Sequence, residues 1–304
     1  MENISRIVAV GDSFTLGVGT SQAFEESQLG GHPKWDQWPD NVKDARRNYI
    51  NHFRRDNSFS KFLAENISEE IGTGVIYDNL GESGIGNTTI IDNIVNFEWD
   101  PSDLAIVGFS SSLRDPLPII PNAFKKFIHK GHVSWSFHEF LNSKAPYVHF
   151  EDNTKGLQDF WIHFVKNYYA KTDLIKYTQE YNKILIYFTQ QFFEYHNISY
   201  IMFDAFESMT PKSNLPSYID DTFYWKIGEE TCFSYCRSRG DTYLEPDNIA
   251  PYTKEVNDQP PVDINEAPRH PSRKGHVAFA EELFKFIKKI SKKLPIQNEK
   301  KSLI

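Results

Sequence analysis

The stretch that decides the fold is Arg6–Thr20, RIVAVGDSFTLGVGT. Its apolar run Ile7–Val10 has no polar alternation, which is typical of a strand buried on both faces of a parallel sheet. Gly11, Asp12 and Ser13 follow, so we predict that Ser13 lies on the turn at the carboxyl end of this strand, the edge at which open α/β sheets bind ligands. A serine hydroxyl with backbone N–H groups around it would supply a nucleophile and oxyanion donors, although Gly-Asp-Ser is also ordinary turn sequence.

The same pattern of apolar strand, small-residue turn and amphipathic helix recurs along the chain. Further strands are predicted at 75–77, 103–108 and 198–203. Helices are predicted over 59–71, after Asn87, over 174–196 and from 277 onwards. Because strands and helices alternate, we expect parallel crossovers and a three-layer α/β/α sandwich whose parallel sheet has about five strands.

The chain of 304 residues is predicted to form one domain over 1–304. Three stretches are low in periodicity or rich in proline, at about 21–57, 116–173 and 207–268. We interpret them as insertions that form a loop-rich cap on the sheet.

Composition argues against several classes of function. The formal net charge of −8 disfavours binding to nucleic acid, and the aromatic content of 15% predicts an ordered body. There is no apolar segment at the N-terminus and no run of 18 apolar residues, so we expect a soluble protein without signal peptide, transmembrane segment or membrane partner.

The two cysteines, Cys232 and Cys236, have no second pair to complete a zinc site, so neither a metal nor another cofactor is expected. Free thiols and a single disulfide both remain open for this pair.

Four sequence blocks, in order, resemble those of the SGNH (GDSL) hydrolases, in the variant found in bacteriophages and some bacteria. They are GDSFT at Gly11–Thr15, the glycine turn from Asn79 to Gly84, the strand end at Gly108 and HPSRKGH at His270–His276. The resemblance implies the flavodoxin-like SGNH fold and a cytoplasmic or virion-associated location.

The resemblance also implies roles for individual residues. Ser13 matches the nucleophile and His270 the general base. The backbone N–H groups of Ser13 and Gly84 match oxyanion donors, and Ser110 stands where the family has an asparagine as the third donor.

The acid that orients the base in this family corresponds to Ala267 here. We expect Glu266 to replace it, with Asp263 or a backbone carbonyl as alternatives.

Three further side chains lie in turns at the predicted crevice and are expected to bind substrate: Asp12, Asn87 and Arg114. Arg114 suits an anionic group of a substrate, but it could also form an ion pair with an acidic residue such as Asp115.

The function that this resemblance implies is a serine esterase that cleaves a carboxylic ester through an acyl-enzyme on Ser13. The expected partner is a small-molecule or glycan ester, with carbohydrate O-acetyl esters first. An acyltransferase and a binding or structural module without catalysis are the alternatives, and the sequence predicts no oligomeric state.

Overall fold

The computed structural model describes residues 1, 3–18, 20, 48–49, 51–110, 174–206, 208–239 and 270–294. The strands in this part of the chain are β1 (Arg6–Gly11), β2 (Ile76–Asn79), β3 (Asp103–Phe109), β4 (Ser199–Asp204) and β5 (Tyr224–Trp225). The helices with both ends in it are α1 (Ser13–Leu16), α2 (Phe59–Ile71), α3 (Asn87–Asn96), α4 (Leu174–Tyr195), α5 (Cys232–Ser238) and α6 (Arg273–Ile290), with 3₁₀ turns at Lys212–Asn214 and Asp221–Phe223.

The five strands form one parallel sheet in the order β2-β1-β3-β4-β5, with β1 between β2 and β3. Residues Ile7–Val10 are wholly buried, as a strand covered on both faces must be. Val10 pairs with Val107 and Gly11 with Gly108, so β1 and β3 end at the same level. The predicted α/β fold with about five parallel strands is confirmed.

Helices cover the sheet as two groups, which gives the three layers. Helix α6 packs on α2, and α3 packs on α4. In α2 the apolar positions recur at helical spacing, with Phe59, Leu63 and Ile67 wholly buried. Gly72 ends this helix with φ 72°, the left-handed conformation that a glycine adopts without steric cost.

The interpretation of two insertions needs correction where the structure describes them. Residues 51–56, inside the stretch expected to be loop, are helical. Within 208–239 the chain adds β5 and α5, and Thr231 and Ser234 form a reciprocal capping box at the start of α5. The insertion at 116–173 lies outside the described residues, and the single domain stays a prediction.

Both cysteines lie on α5, are buried and are free thiols. The structure therefore answers the question that the sequence left open, because the two residues form no disulfide. Burial raises the pKa of the Cys232 thiol well above its ordinary value, which makes it a poor nucleophile.

Across the described ranges no helix has the length and apolar character needed to cross a membrane.

Candidate active site

Ser13 is the first residue of α1 and follows the cap residue Asp12 at the end of β1. A side chain at position 11 would collide with Thr15 and approach the carbonyl oxygen of Gly108 to 2.7 Å, so only glycine lets β1, β3 and α1 meet here. Asp12 Oδ1 accepts a hydrogen bond from the backbone N–H of Phe14 at 3.0 Å. These contacts fix the turn that carries the Ser13 hydroxyl.

His270 lies directly against this serine. Its Nε2 atom is 2.8 Å from Ser13 Oγ, although the two residues are 257 positions apart in the chain. His270 comes just before α6, whose cap residue Ser272 accepts a hydrogen bond from the N–H of Gly275 at 3.3 Å. The structure thus brings together the predicted nucleophile and the predicted base at hydrogen-bond distance.

The ring of His270 stacks on the ring of Phe14, with centroids 4.9 Å apart and planes 30° apart. Phe14 in turn contacts Phe206, just after β4, and Phe233 on α5. These three phenylalanines were not predicted from the sequence to belong to the site. The sequence does show an aromatic residue, Phe14, next to Ser13. Nothing near it in the sequence indicated which histidine ring would stack on it.

A buried hydrogen-bond chain joins the first and third strand ends. The Ser110 hydroxyl donates to Asp12 Oδ2 at 2.7 Å. Asn87 holds Ser110 from the other side, because its Oδ1 accepts from the Ser110 N–H at 2.8 Å and its Nδ2 donates to the Ser110 carbonyl oxygen at 3.3 Å. Asp12, Asn87 and Ser110 are all wholly buried.

These contacts show what the three side chains do in the folded protein. Asp12 caps a turn and Asn87 clamps the end of β3, while the Ser110 hydroxyl hydrogen is donated to Asp12. The proposed roles of Asp12 and Asn87 in substrate binding, and of Ser110 as an oxyanion donor, stay predictions.

The glycine turn after β2 is tied to the serine turn. The Asn79 side chain donates to the carbonyl oxygen of Thr15 at 2.7 Å and accepts from the N–H of Gly81 at 2.9 Å. Gly84 lies in this turn with φ 82°, a conformation that favours glycine, and α3 begins three residues later. The role of the Gly84 backbone N–H as an oxyanion donor stays a prediction.

Three residues named from the sequence fall in parts of the chain without a description: Arg114, Asp263 and Glu266. Their predicted roles stay predictions. In the residues that are described, no group of three histidines, cysteines or carboxylates is arranged to hold a metal ion.

Two buried ionisable groups lie near the site. Burial lowers the pKa of His276 to about 3, and its Nδ1 accepts a hydrogen bond from the N–H of Phe59 at 3.2 Å, so this ring is neutral and links α6 to α2. Burial also raises the pKa of Asp204, at the end of β4, to about 7, although Tyr224 donates a hydrogen bond to it.

No protein-family model and no curated protein matches the sequence. Among solved structures, the chain is similar to a protein placed in the G-D-S-L family of lipolytic proteins from Desulfitobacterium hafniense DCB-2, at 13% identity and a TM-score of 0.29, over 93% of this chain and 99% of the other. It is also similar to a carbohydrate esterase whose active site is described as having divergent catalytic and non-catalytic binding functions, at 10% identity and a TM-score of 0.37, over 93% of this chain and 64% of the other. Because both TM-scores are below 0.5, no role of a site residue is inferred from these two structures.

Proposed function

We propose that this protein is a serine esterase that cleaves a carboxylic ester through an acyl-enzyme on Ser13. The observation that carries the proposal is the 2.8 Å contact between Ser13 Oγ and His270 Nε2. A neutral imidazole at that distance is placed to take the hydroxyl proton as the oxygen attacks a carbonyl carbon.

The proposed reaction has two halves. In the first, Ser13 Oγ bonds to the ester carbonyl carbon, its proton passes to His270 Nε2, and that proton then leaves with the alcohol as the ester C–O bond breaks. In the second, His270 takes a proton from water, the water oxygen attacks the acyl-serine, and the proton returns to Ser13 Oγ as the carboxylic acid is released.

The proposed substrate class is an acetyl ester of a carbohydrate. Support for this class comes from the four sequence blocks that resemble the SGNH hydrolases, and these blocks do not identify the alcohol part of the ester. The ester that tests the chemistry is therefore a simple one, p-nitrophenyl acetate.

The first prediction concerns the nucleophile. Wild-type protein should release p-nitrophenol from p-nitrophenyl acetate, and Ser13→Ala should lower kcat by about a thousandfold or more because the acyl-enzyme cannot form. Ser102→Ala is the matched control, since Ser102 is hydrogen-bonded to Ser5 next to the opposite ends of β1 and β3 and its loss should leave kcat unchanged.

A fluorophosphonate probe makes the same test independent of substrate choice. We expect one label per chain, found by mass spectrometry on the peptide that contains Ser13, and none in Ser13→Ala. Turnover that survives in Ser13→Ala, or folded wild-type protein that takes up no label, would overturn the esterase proposal.

A further inference from the structure

The aromatic residue next to the nucleophile supports the base. Phe14 follows Ser13 on α1, and its ring lies under the imidazole of His270 at 4.9 Å between centroids, with the planes 30° apart. The same imidazole reaches Ser13 Oγ with Nε2 at 2.8 Å. Two consecutive residues of α1 therefore contact His270, because Ser13 supplies the hydroxyl near its Nε2 atom and Phe14 supplies the ring that stacks on its imidazole.

Phe14 is itself held on several sides. Its side chain is 1% exposed, and its backbone N–H donates to Asp12. Its ring centroid is 5.7 Å from that of Phe206 and 6.3 Å from that of Phe233, whose ring it meets edge-on.

The two outer phenylalanines also contact each other. Their ring centroids are 5.0 Å apart, and the backbone N–H of Phe233 donates to the carbonyl oxygen of Ala205 at 2.9 Å. The position of the Phe14 ring is thus fixed by the end of β4 and the start of α5.

A general base works only when its nitrogen points at the proton that it takes. Contact with a flat, immobile ring restricts rotation of an imidazole about both of its side-chain torsions, because most rotations would drive the two rings into each other. An aromatic face also attracts the cation that forms when the imidazole accepts a proton. Stacking on Phe14 provides both effects at His270.

We propose that Phe14 is a positioning residue, which holds the His270 imidazole with Nε2 directed at Ser13 Oγ. The inference rests on the proposed esterase function and adds to it a residue that acts through the His270 imidazole. A branched aliphatic side chain in place of Phe14 fills most of the space but offers no flat face, so the imidazole would sample orientations that do not reach Ser13.

The test compares two substitutions that each remove one buried ring. Phe14→Leu removes the ring under His270. Phe59→Leu is the matched control, because Phe59 is wholly buried, is packed edge-on by Phe203 and Phe279, and lies parallel to another histidine ring, that of His276 at 6.2 Å.

We expect Phe14→Leu to lower kcat for p-nitrophenyl acetate roughly ten- to a hundredfold while KM changes less than about twofold, since small misplacements of a reacting group have effects of this size. Phe59→Leu should keep both constants near their wild-type values. If kcat of the two folded variants is the same, the inference is wrong.

A second measurement reports on the imidazole without any turnover. In nuclear magnetic resonance spectra, the wild type and Phe59→Leu should show a nuclear Overhauser contact between the His270 ring protons and the Ser13 β protons, and Phe14→Leu should lose it. Should the wild type hydrolyse no ester and take up no probe, the proposed function fails, but this contact still decides the inference: its retention in Phe14→Leu would overturn the positioning role.

If Phe14→Leu does not fold, Phe206→Leu takes its place, because Phe206 is only partly buried and contacts Phe14 from outside. It should weaken the same contact between His270 and Ser13 and lower kcat in the same direction by a smaller factor. An unchanged contact together with an unchanged kcat would count against the inference.

Discussion

The hydroxyl hydrogen of Ser110 is the residue-scale feature with the clearest consequence for the proposed chemistry. A serine hydroxyl has one hydrogen, and here it is donated to Asp12 at 2.7 Å, so Ser110 would have to give up this bond to donate to an oxyanion. Loss of a full oxyanion donor costs about 3 kcal/mol, or more than a hundredfold in rate. We therefore expect Ser110→Ala to lower kcat/KM by less than about tenfold, measured with p-nitrophenyl acetate beside Ser102→Ala. A loss of a hundredfold or more would show that Ser110 turns from Asp12 to the substrate during the reaction.

At this scale the sequence predicted which groups meet but not how they are held. The resemblance in GDSFT and HPSRKGH placed Ser13 and His270 at one site, and the structure has them 2.8 Å apart. The stacking of His270 on Phe14 could not be predicted, because it depends on two rings from distant parts of the chain. The choice of Asp12 as the acceptor for Ser110 likewise depends on a pairing between strands.

Among the elements, the glycine turn after β2 is built against α1. A side chain at Gly81 would overlap the backbone N of Leu16 and come within 2.8 Å of its Cα. Gly81→Ala must therefore push the turn away from the helix that carries Ser13, and we expect it to lower the free energy of unfolding by about 2 kcal/mol and to slow fluorophosphonate labelling of Ser13. Gly74→Ala is the control, since nothing lies within 4 Å of its added carbon and both quantities should stay near wild type. Equal effects of the two substitutions, measured by urea unfolding and labelling rate, would contradict this account.

Elements with several turns or a buried strand were predictable, and the shorter ones were not. The spacing of apolar residues predicted a helix over 59–71, and α2 has those bounds. Strand β5 has two residues and α5 has seven, too few for either to show a hydrophobic period. Thr231 and Ser234 cap the start of α5, but a capping box is recognised in a sequence by Glu or Gln at the position that Ser234 occupies, so this cap did not indicate the helix beforehand.

For the molecule as a whole, Asp204 couples stability to pH. Its pKa is about 7 in the folded protein and about 3.9 in an unfolded chain, so the folded state holds the extra proton between these values and loses stability as pH rises through them. Asp204→Asn removes this dependence. The free energy of unfolding of the variant relative to wild type should therefore rise by ~4 kcal/mol between pH 4 and pH 8, as measured by urea unfolding.

The comparison with wild type is needed because His276 has the opposite effect. Its lowered pKa gives stability above about pH 6.5 that is lost as pH falls toward 3, and this contribution is common to both proteins. A difference between Asp204→Asn and wild type that stays constant with pH would show that the Asp204 carboxyl is ionised throughout.

The chain order of the two site residues has a consequence for synthesis in the cell. Ser13 follows the first strand, whereas His270 immediately precedes the helix that packs on α2. A nascent chain on the ribosome can present the hydroxyl early, but it gains the imidazole only after some 250 further residues have been translated. Under the esterase proposal, hydrolytic activity would therefore appear late in synthesis, because a translation product that ends before His270 lacks the proposed base.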